Sequence, residues 1–381
     1  MLALAATLLP AAWAKPKFKV LAGVPGGLWS GLTFDSKGNL YGVTTGGGDY
    51  GVGSVFEMTH NSKGMWRVTT LHSFNGKDGA EPNGDLIFDA AGNLYGTTPV
   101  GGTYYDGGTV FELTPGSGGW TFSVLYSFCH QYGCPDGGGP LAGLVRDKDG
   151  NLLGTGWAGL YDQGVVFELT PRSGGWTYSV LYNFGSHSYD GSNPMDTPVL
   201  DAEGNIYGTT YYGGRDGDGA VFKMMPRSGG WRERLLWQFD SNDGADPEGG
   251  VVFDAEGNLY GTTNGGASNI FELTPSANGS WKEIVLYEFK NSKKGTAPVS
   301  GLARGTGRTL YGTTATGGTG SCYNGCGVVY KLAPCAGGKW RYTVLHKFDS
   351  PYESPPDGRL ILDTKRNLYG TALSVVYKIT P

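Results

Sequence analysis

Four phrases of the sequence set a carboxylate against glycine and ahead of proline: Asp78-Gly-Ala-Glu-Pro, Asp136-Gly-Gly-Gly-Pro, Asp190-Gly-Ser-Asn-Pro and Asp243-Gly-Ala-Asp-Pro. Asp-Gly is a turn signal whose carboxylate accepts nearby backbone N–H groups, and that is the simpler reading of all four. A ring of carboxylate oxygens is also what Ca²⁺ takes, which makes Asp78, Asp136, Asp190 and Asp243 secondary metal candidates. Arg215-Asp216-Gly217-Asp218-Gly219 carries part of a calcium loop but lacks its third Asp and its distal Glu. The expectation is no cofactor, with calcium as the open alternative.

Aromatic residues gather in three other glycine-rich stretches: Tyr104 and Tyr105 before Asp106, Trp157 and Tyr161 before Asp162, and Tyr211 and Tyr212 before Asp216. Either these rings pack beneath their own loops, or they stand exposed as a binding surface. A tyrosine offers an apolar body and a hydroxyl, and beside carboxylates it suits sugar rings, with their apolar faces and hydroxyl edges. Of the five histidines, His130 and His187 lie in loops close to Asp136 and Asp190, where a carboxylate could orient an imidazole as general base. Solvated loop histidines are the simpler reading of both. His72 and His346 share a position held elsewhere by Tyr126, Tyr182, Trp237 and Tyr287, and read as packing residues. Gly154-Thr-Gly156-Trp-Ala-Gly159 matches G-x-G-x-x-G but precedes no helix, so no phosphate cradle is expected. The sequence shows no nucleophile elbow and no metalloprotease motif.

Cys129 with Cys134, and Cys322 with Cys326, are close pairs in glycine-rich loops, placed to form two local disulfides; Cys335 is left over. Residues 1–14 end in Ala12-Trp13-Ala14, a small-x-small cleavage pattern after an apolar run, and read as a signal peptide despite the missing basic start. Oxidised cysteines and a leader together predict a secreted or periplasmic protein. A net charge of −5 with scattered Lys and Arg leaves no footprint for nucleic acid, and no segment is long and apolar enough to span a bilayer. A monomer is expected.

These side chains are positioned by a repeat. A Tyr-Gly step recurs at Tyr41, Tyr95, Tyr207, Tyr260, Tyr311 and Tyr369, with Leu153 standing in once, at spacings of 54, 58, 54, 53, 51 and 58. Each of the seven units holds four β-type runs, here called a to d; in the second they start at Asp85, Asn93, Thr109 and Trp120. Four strands without a helix in a repeat of this length mark a propeller blade. The last unit supplies no d run, whereas KFKVLAGV from Lys17 precedes the first a run and matches d. The fold class predicted is all-β: a seven-bladed β-propeller over residues 15–381, four antiparallel strands per blade, closed by the N-terminal strand. Closure removes the raw sheet edges of an open array.

The unit GNLYGTT, a glycine-rich loop, VFELTP, W-x-x-x-V-L-Y-x-F and D-G-A-x-P, repeated between Lys17 and Pro381, resembles the GloVer tandem repeat of choice-of-anchor bacterial extracellular proteins. That resemblance implies a secreted or surface-displayed propeller. The phrase G-L-x-F-D-x-x-G-N-L-Y is more loosely similar to NHL and gluconolactonase-type propellers.

With strand a innermost, the d-to-a and b-to-c loops share one face, and function on a repeat scaffold gathers on the insertion-bearing face. The leading expectation is a non-catalytic binder of an extracellular glycan or protein through that face. The alternative is a calcium-assisted lactonase or lyase of gluconolactonase-like type with His130 or His187 as base, and a structural role in a surface layer is a third. The axial channel separates the first two: a carboxylate cluster favours the enzyme, an apolar plug the binder.

Overall fold

The computed structural model describes residues 15–350 and 355–381; the leader read at residues 1–14 lies outside them. Seven four-stranded antiparallel sheets form the blades, in order a-b-c-d. In blade 2 the strands are Ile87–Phe88, Leu94–Thr98, Thr109–Gly116 and Gly119–Ser127. Blade 7 takes Ile361–Leu362, Leu368–Ala372 and Val375–Thr380 from the C-terminus and Lys17–Gly23 from the N-terminus. The closing register runs from Lys17 opposite Thr380 to Gly23 opposite Val375. The circular closure read from the strand count is what the chain does.

The repeated phrase explains itself in atoms. In the a-to-b turn of blade 2, Asp89 accepts the backbone N–H groups of Ala91 and Asn93 on one oxygen, and the Asn93 amide and the Tyr95 hydroxyl on the other. Burial works to raise the Asp89 pKa, but these donors outweigh it and the carboxyl is held low. Asp201, Asp254 and Asp363 make the same bracket with Asn205 and Tyr207, Asn258 and Tyr260, and Asn367 and Tyr369. The glycine after each tyrosine leaves room for the facing c strand: a Cβ on Gly96 would sit 2.5 Å from the Phe111 ring and 2.6 Å from Leu86.

Apolar burial lies between blades. One cluster joins Tyr95, Val110 and Phe128 of blade 2 to Leu144, Leu152 and Phe167 of blade 3. Another joins Tyr311, Val329 and Phe348 of blade 6 to Leu368, Tyr377 and Ile379 of blade 7, with Phe18 packed against it. Each b strand is buried along its whole length, as a sheet covered on both faces requires.

His346 lies flat on Phe18, ring centroids 3.7 Å apart, so it is the packing residue its position predicted. Burial lowers its pKa to about 4. A histidine held neutral contributes stability that is present above its unfolded pKa of about 6.5 and is lost as pH falls toward 4. His346→Phe keeps a flat ring and cannot charge, so its melting temperature should fall less than that of the parent between pH 6.5 and 4. Parallel melting curves for the two proteins would show that no neutral imidazole is held there.

Candidate functional site

The d-to-a and b-to-c loops do share a face, and they are zipped together. Ala80 bridges Val100, Gly138 bridges Ala158, Ala245 bridges Gly265 and Thr296 bridges Thr316, while Gly191–Ser192 pairs with Tyr212–Gly213 as a small sheet of its own. The insertion-bearing loops are thereby tied to the blade beneath them.

On this face the four Asp-Gly carboxylates have one common job. Each receives a hydrogen bond from the polar tip of a strand-d ring: Asp78 from His72 (3.0 Å), Asp136 from Tyr126 (2.8 Å), Asp190 from Tyr182 (2.9 Å) and Asp243 from the Trp237 indole (3.1 Å). Each also accepts a backbone N–H from the loop that follows, from Asn75, His130, Ser186 and Asp240 respectively. The carboxylate therefore closes the loop onto the end of its strand, which is the turn reading. His72 stands where tyrosine or tryptophan stands elsewhere because its ring also stacks, 3.7 Å from Phe122, and also has a polar nitrogen for the carboxylate.

The loop aromatics are mostly on the surface, so of the two readings the sequence left open the structure favours exposure over packing beneath the loops. Tyr105, Trp157, Tyr161 and Tyr212 are exposed and Tyr104 is on the border of exposure, while Tyr211 is half-buried. Their neighbours explain this. A short b-to-c loop already held by bridges has no cavity beneath it to fill. Tyr104 leans on His130 (4.3 Å between rings) and Tyr105 sits edge-on to the exposed Tyr132 (6.3 Å). Asp106 braces its own loop by accepting the Gly101 N–H, whereas Asp162 and Asp216 are exposed. His130 forms a 2.9 Å contact with Asp136, and His187 lies 3.9 Å from Asp190.

Both local disulfides form, Cys129–Cys134 and Cys322–Cys326, each within a single loop of this face, and Cys335 stays outside them on the opposite side of its strand.

The main cavity on the face is one that no loop motif announces. Residues just ahead of the seven a strands converge on the axis and line a cup of about 450 Å³. Its floor is narrow because most units supply a small residue there: Gly31, Gly143, Gly250 and Gly301. Two units break the pattern with charge. Arg359 of blade 7 reaches across to Asp196 of blade 4 (2.7 Å), and Asp85 of blade 2 accepts the Gly31 N–H (2.6 Å). Asp196 is the largest influence holding the Arg359 guanidinium charged, with Asp85 adding to it. Burial pushes the Asp85 carboxyl up, against the pull of Arg359. The glycines are the vacated side of this crossing: a Cβ on Gly301 would lie 2.5 Å from the Arg359 Nε, and one on Gly250 would strike the Asp196 carboxylate.

Above the floor the wall carries Trp29, Asn83, Leu141, Met195, Glu248, Val299 and Asp357. Burial first and Glu248 second push the Asp357 carboxyl up to about 7. Burial likewise raises Glu248, which accepts from the Asn264 amide at 3.3 Å. One oxygen each of Asn83 and Asp357, and the Arg359 Nε, are buried without a hydrogen-bond partner. Neither His130 nor His187 lines the cup, so the channel carboxylates and the loop histidines of the enzymatic reading do not come together.

The family model described as the Gloeobacter/Verrucomicrobia repeat matches residues 17–156 and 108–322. No curated protein matches the sequence. Among solved structures, a streptogramin B lyase superposes with a TM-score of 0.60 at 11% identity, over 97% of this chain and 99% of that one. The extracellular domain of a provisionally assigned hybrid two component system from B. thetaiotaomicron gives 0.57 at 14% identity, over 97% of this chain and 41% of that one. A provisionally assigned 6-phosphogluconolactonase from Bacteroides uniformis gives 0.57 at 12% identity, over 91% and 92%. At these identities the likeness bears on the fold alone.

Proposed function

The chain belongs to the Gloeobacter/Verrucomicrobia repeat family, and we propose that it is an extracellular or periplasmic propeller that takes a sugar unit of a glycan into its axial cup. The observation that carries this is the lining: an exposed Trp29 ring, the Asn83 amide and the Glu248 and Asp357 carboxyls, in about 450 Å³ over a charged floor. A ring to lie against a sugar face and several acceptors for its hydroxyls are the two demands such a ligand makes. The exposed loop aromatics Tyr105, Tyr161 and Tyr212 extend the contact along the chain. Two disulfides support an oxidising compartment, and among the described residues no helix is long and apolar enough to cross a membrane.

Titration calorimetry against a panel of neutral oligosaccharides tests this. Trp29→Ala should weaken the best binder by about tenfold, since a stacked aromatic is worth on the order of 1–1.5 kcal/mol beyond its area. Alanine at Tyr105, Tyr161 or Tyr212 should cost less. A carboxylate accepts more hydroxyl groups than a carboxylic acid, so affinity should rise as pH passes 7, and Asp357→Asn should flatten that rise. Absence of binding across the panel, or binding indifferent to Trp29, would sink the proposal.

A second reading keeps the same cup and makes it catalytic. Its motive is that the channel is lined by carboxylates and has no apolar plug, the feature that favours an enzyme. Glu248, pushed up by burial and then by Asp196 and Asp246, and Asp357, pushed up by burial and then by Glu248, could serve as base and acid in a lactonase or lyase. Binding stands first because Asp85 and Asp196 are committed to Arg359 and no histidine lines the cup. Turnover of a lactone or glycan that disappears in Glu248→Gln would reverse that order.

A further inference from the structure

One register position on strand d faces the blade before it. Phe122, Tyr178, Tyr342 and Phe18 occupy it in blades 2, 3, 6 and 7, opposite Leu113, Leu169, Leu332 and Ile379 of their own c strands. Each lies flat on a ring of the preceding blade, on His72, Tyr126, Tyr287 and His346, at 3.7 to 4.0 Å between centroids. Blades 4 and 5 place Glu233 and Glu283 at the same register. Both glutamates leave Oε1 buried without a partner. Packing explains neither, because a buried carboxyl with an unmet oxygen is costly where an aromatic stack is available.

At the seam between blades 3 and 4 the glutamate has company. His187 Nε2 stands 3.9 Å from Asp190 Oδ2 and 4.0 Å from Glu233 Oε2, and the three groups offer ligand atoms that all lie within 4.8 Å of one another. The side chains of Asp190 and Glu233 are 2% and 5% exposed, and His187, at 54%, opens the group to solvent. Among the described residues His187 is the sole basic side chain within 4.0 Å of either carboxylate. The other imidazole nitrogen, Nδ1, is 3.1 Å from the Ser188 carbonyl, to which it donates its proton. In that tautomer Nε2 carries the lone pair, on the side where the Tyr182 hydroxyl (3.3 Å) and the two carboxylates (3.9 and 4.0 Å) stand, so a metal at this nitrogen would take the place of the hydroxyl contact. The Tyr182 hydroxyl, donating to Asp190, braces the carboxylate from behind.

We propose that His187, Asp190 and Glu233 bind a divalent transition cation of the zinc class, which staples the blade 3 loop to strand d of blade 4 in place of the missing stack. One imidazole and two carboxylates are borderline N/O donors of the kind zinc accepts, and three protein ligands leave a position for water on the His187 side. With bonds of about 2.1 Å the cation draws the three atoms inward, and exposed His187 has the freedom to follow. The proposal is independent of the axial cup.

The test is calorimetric titration of metal-free protein with zinc chloride near neutral pH, in a Cys335→Ser background that removes the free thiol. One equivalent should bind, His187→Ala and Glu233→Gln should each weaken it by about tenfold or more, comparable to or beyond the loss for a supporting residue, and Glu283→Gln should leave it unchanged. Glu233→Tyr rebuilds the stack that four other seams have, so it should fold with an undiminished melting temperature and bind no zinc. No stoichiometric uptake, uptake unaltered in His187→Ala, or tighter binding of calcium than of zinc would overturn the proposal.

Discussion

Arg359→Met is expected to destabilise the propeller by about 2–4 kcal/mol, below the cost of stranding a fully buried charge because the Asp196 side chain is about a fifth exposed. The guanidinium is hydrogen-bonded to Asp196 across the axis and lies in the field of Asp85, and no other cation among the described lining residues of the cup can take its place. The sign with pH follows. Without Arg359 the Asp85 carboxyl, already raised by burial, loses the cation that pulls it down, so the folded state binds a proton there more readily than the unfolded one and the deficit should shrink as pH falls toward 4. Adding Asp196→Asn should recover part of the loss, because an amide needs no counter-ion. Urea unfolding at two pH values measures all three effects, and a loss below about 1 kcal/mol, the scale of an exposed pair, would show the crossing to be ornamental.

Removing Lys17–Gly23 should have a still larger consequence, loss of the cooperative fold. The strand supplies the whole d edge of blade 7, and Phe18 packs against His346, Phe348 and Tyr377. Truncation uncovers the Val375–Thr380 strand as a raw edge and opens the seam with blade 6, and several kcal/mol from one strand is a large part of a domain's stability. The truncated protein should elute as aggregate, and a synthetic peptide spanning residues 15–25 should restore monomer when present during refolding. The single change Phe18→Ala should cost about 2–4 kcal/mol, below the range of a fully buried ring because Phe18 is only partly buried. A truncated protein that melts within a few degrees of the parent would remove ring closure from the account of stability.

What was legible in the sequence was whatever repeats. Six copies of the Tyr-Gly step, with Leu153 standing in for the tyrosine of a seventh, carry the blade count, and the missing d run at one end with its surplus at the other carries the closure. The cysteine spacings carry both bridges, since partners four or five residues apart in a loop are neighbours in any fold. The axial cup was not legible for the opposite reason. It is assembled from two to four residues per unit, the units about fifty residues apart, and its chemistry lies in departures from the repeat. Asp85 and Arg359 stand where other units have Gly31, Gly143, Gly250 and Gly301, and aligning the seven units on strand a would have exposed both. Glu233 hides in the same way among Phe122, Tyr178 and Tyr342. The sequence left the loop aromatics open between packing and exposure because ring burial is a habit of cores, and only the structure shows that a loop zipped to its neighbour leaves most of them outside.

The pairing of Lys17 with Thr380 also sets a schedule. The two halves of that seam lie more than 350 residues apart in sequence, so during translation the first strand of the propeller waits for the last, and every unfinished propeller carries an unmated edge. Loop-closure entropy grows only slowly with length, but contacts so remote in sequence slow folding and prolong exposure to aggregation. A circular permutant that joins residue 381 to residue 15 and opens the chain in the turn between blades 3 and 4 would make the seam a local hairpin. The wheel would be unchanged, and it should assemble faster.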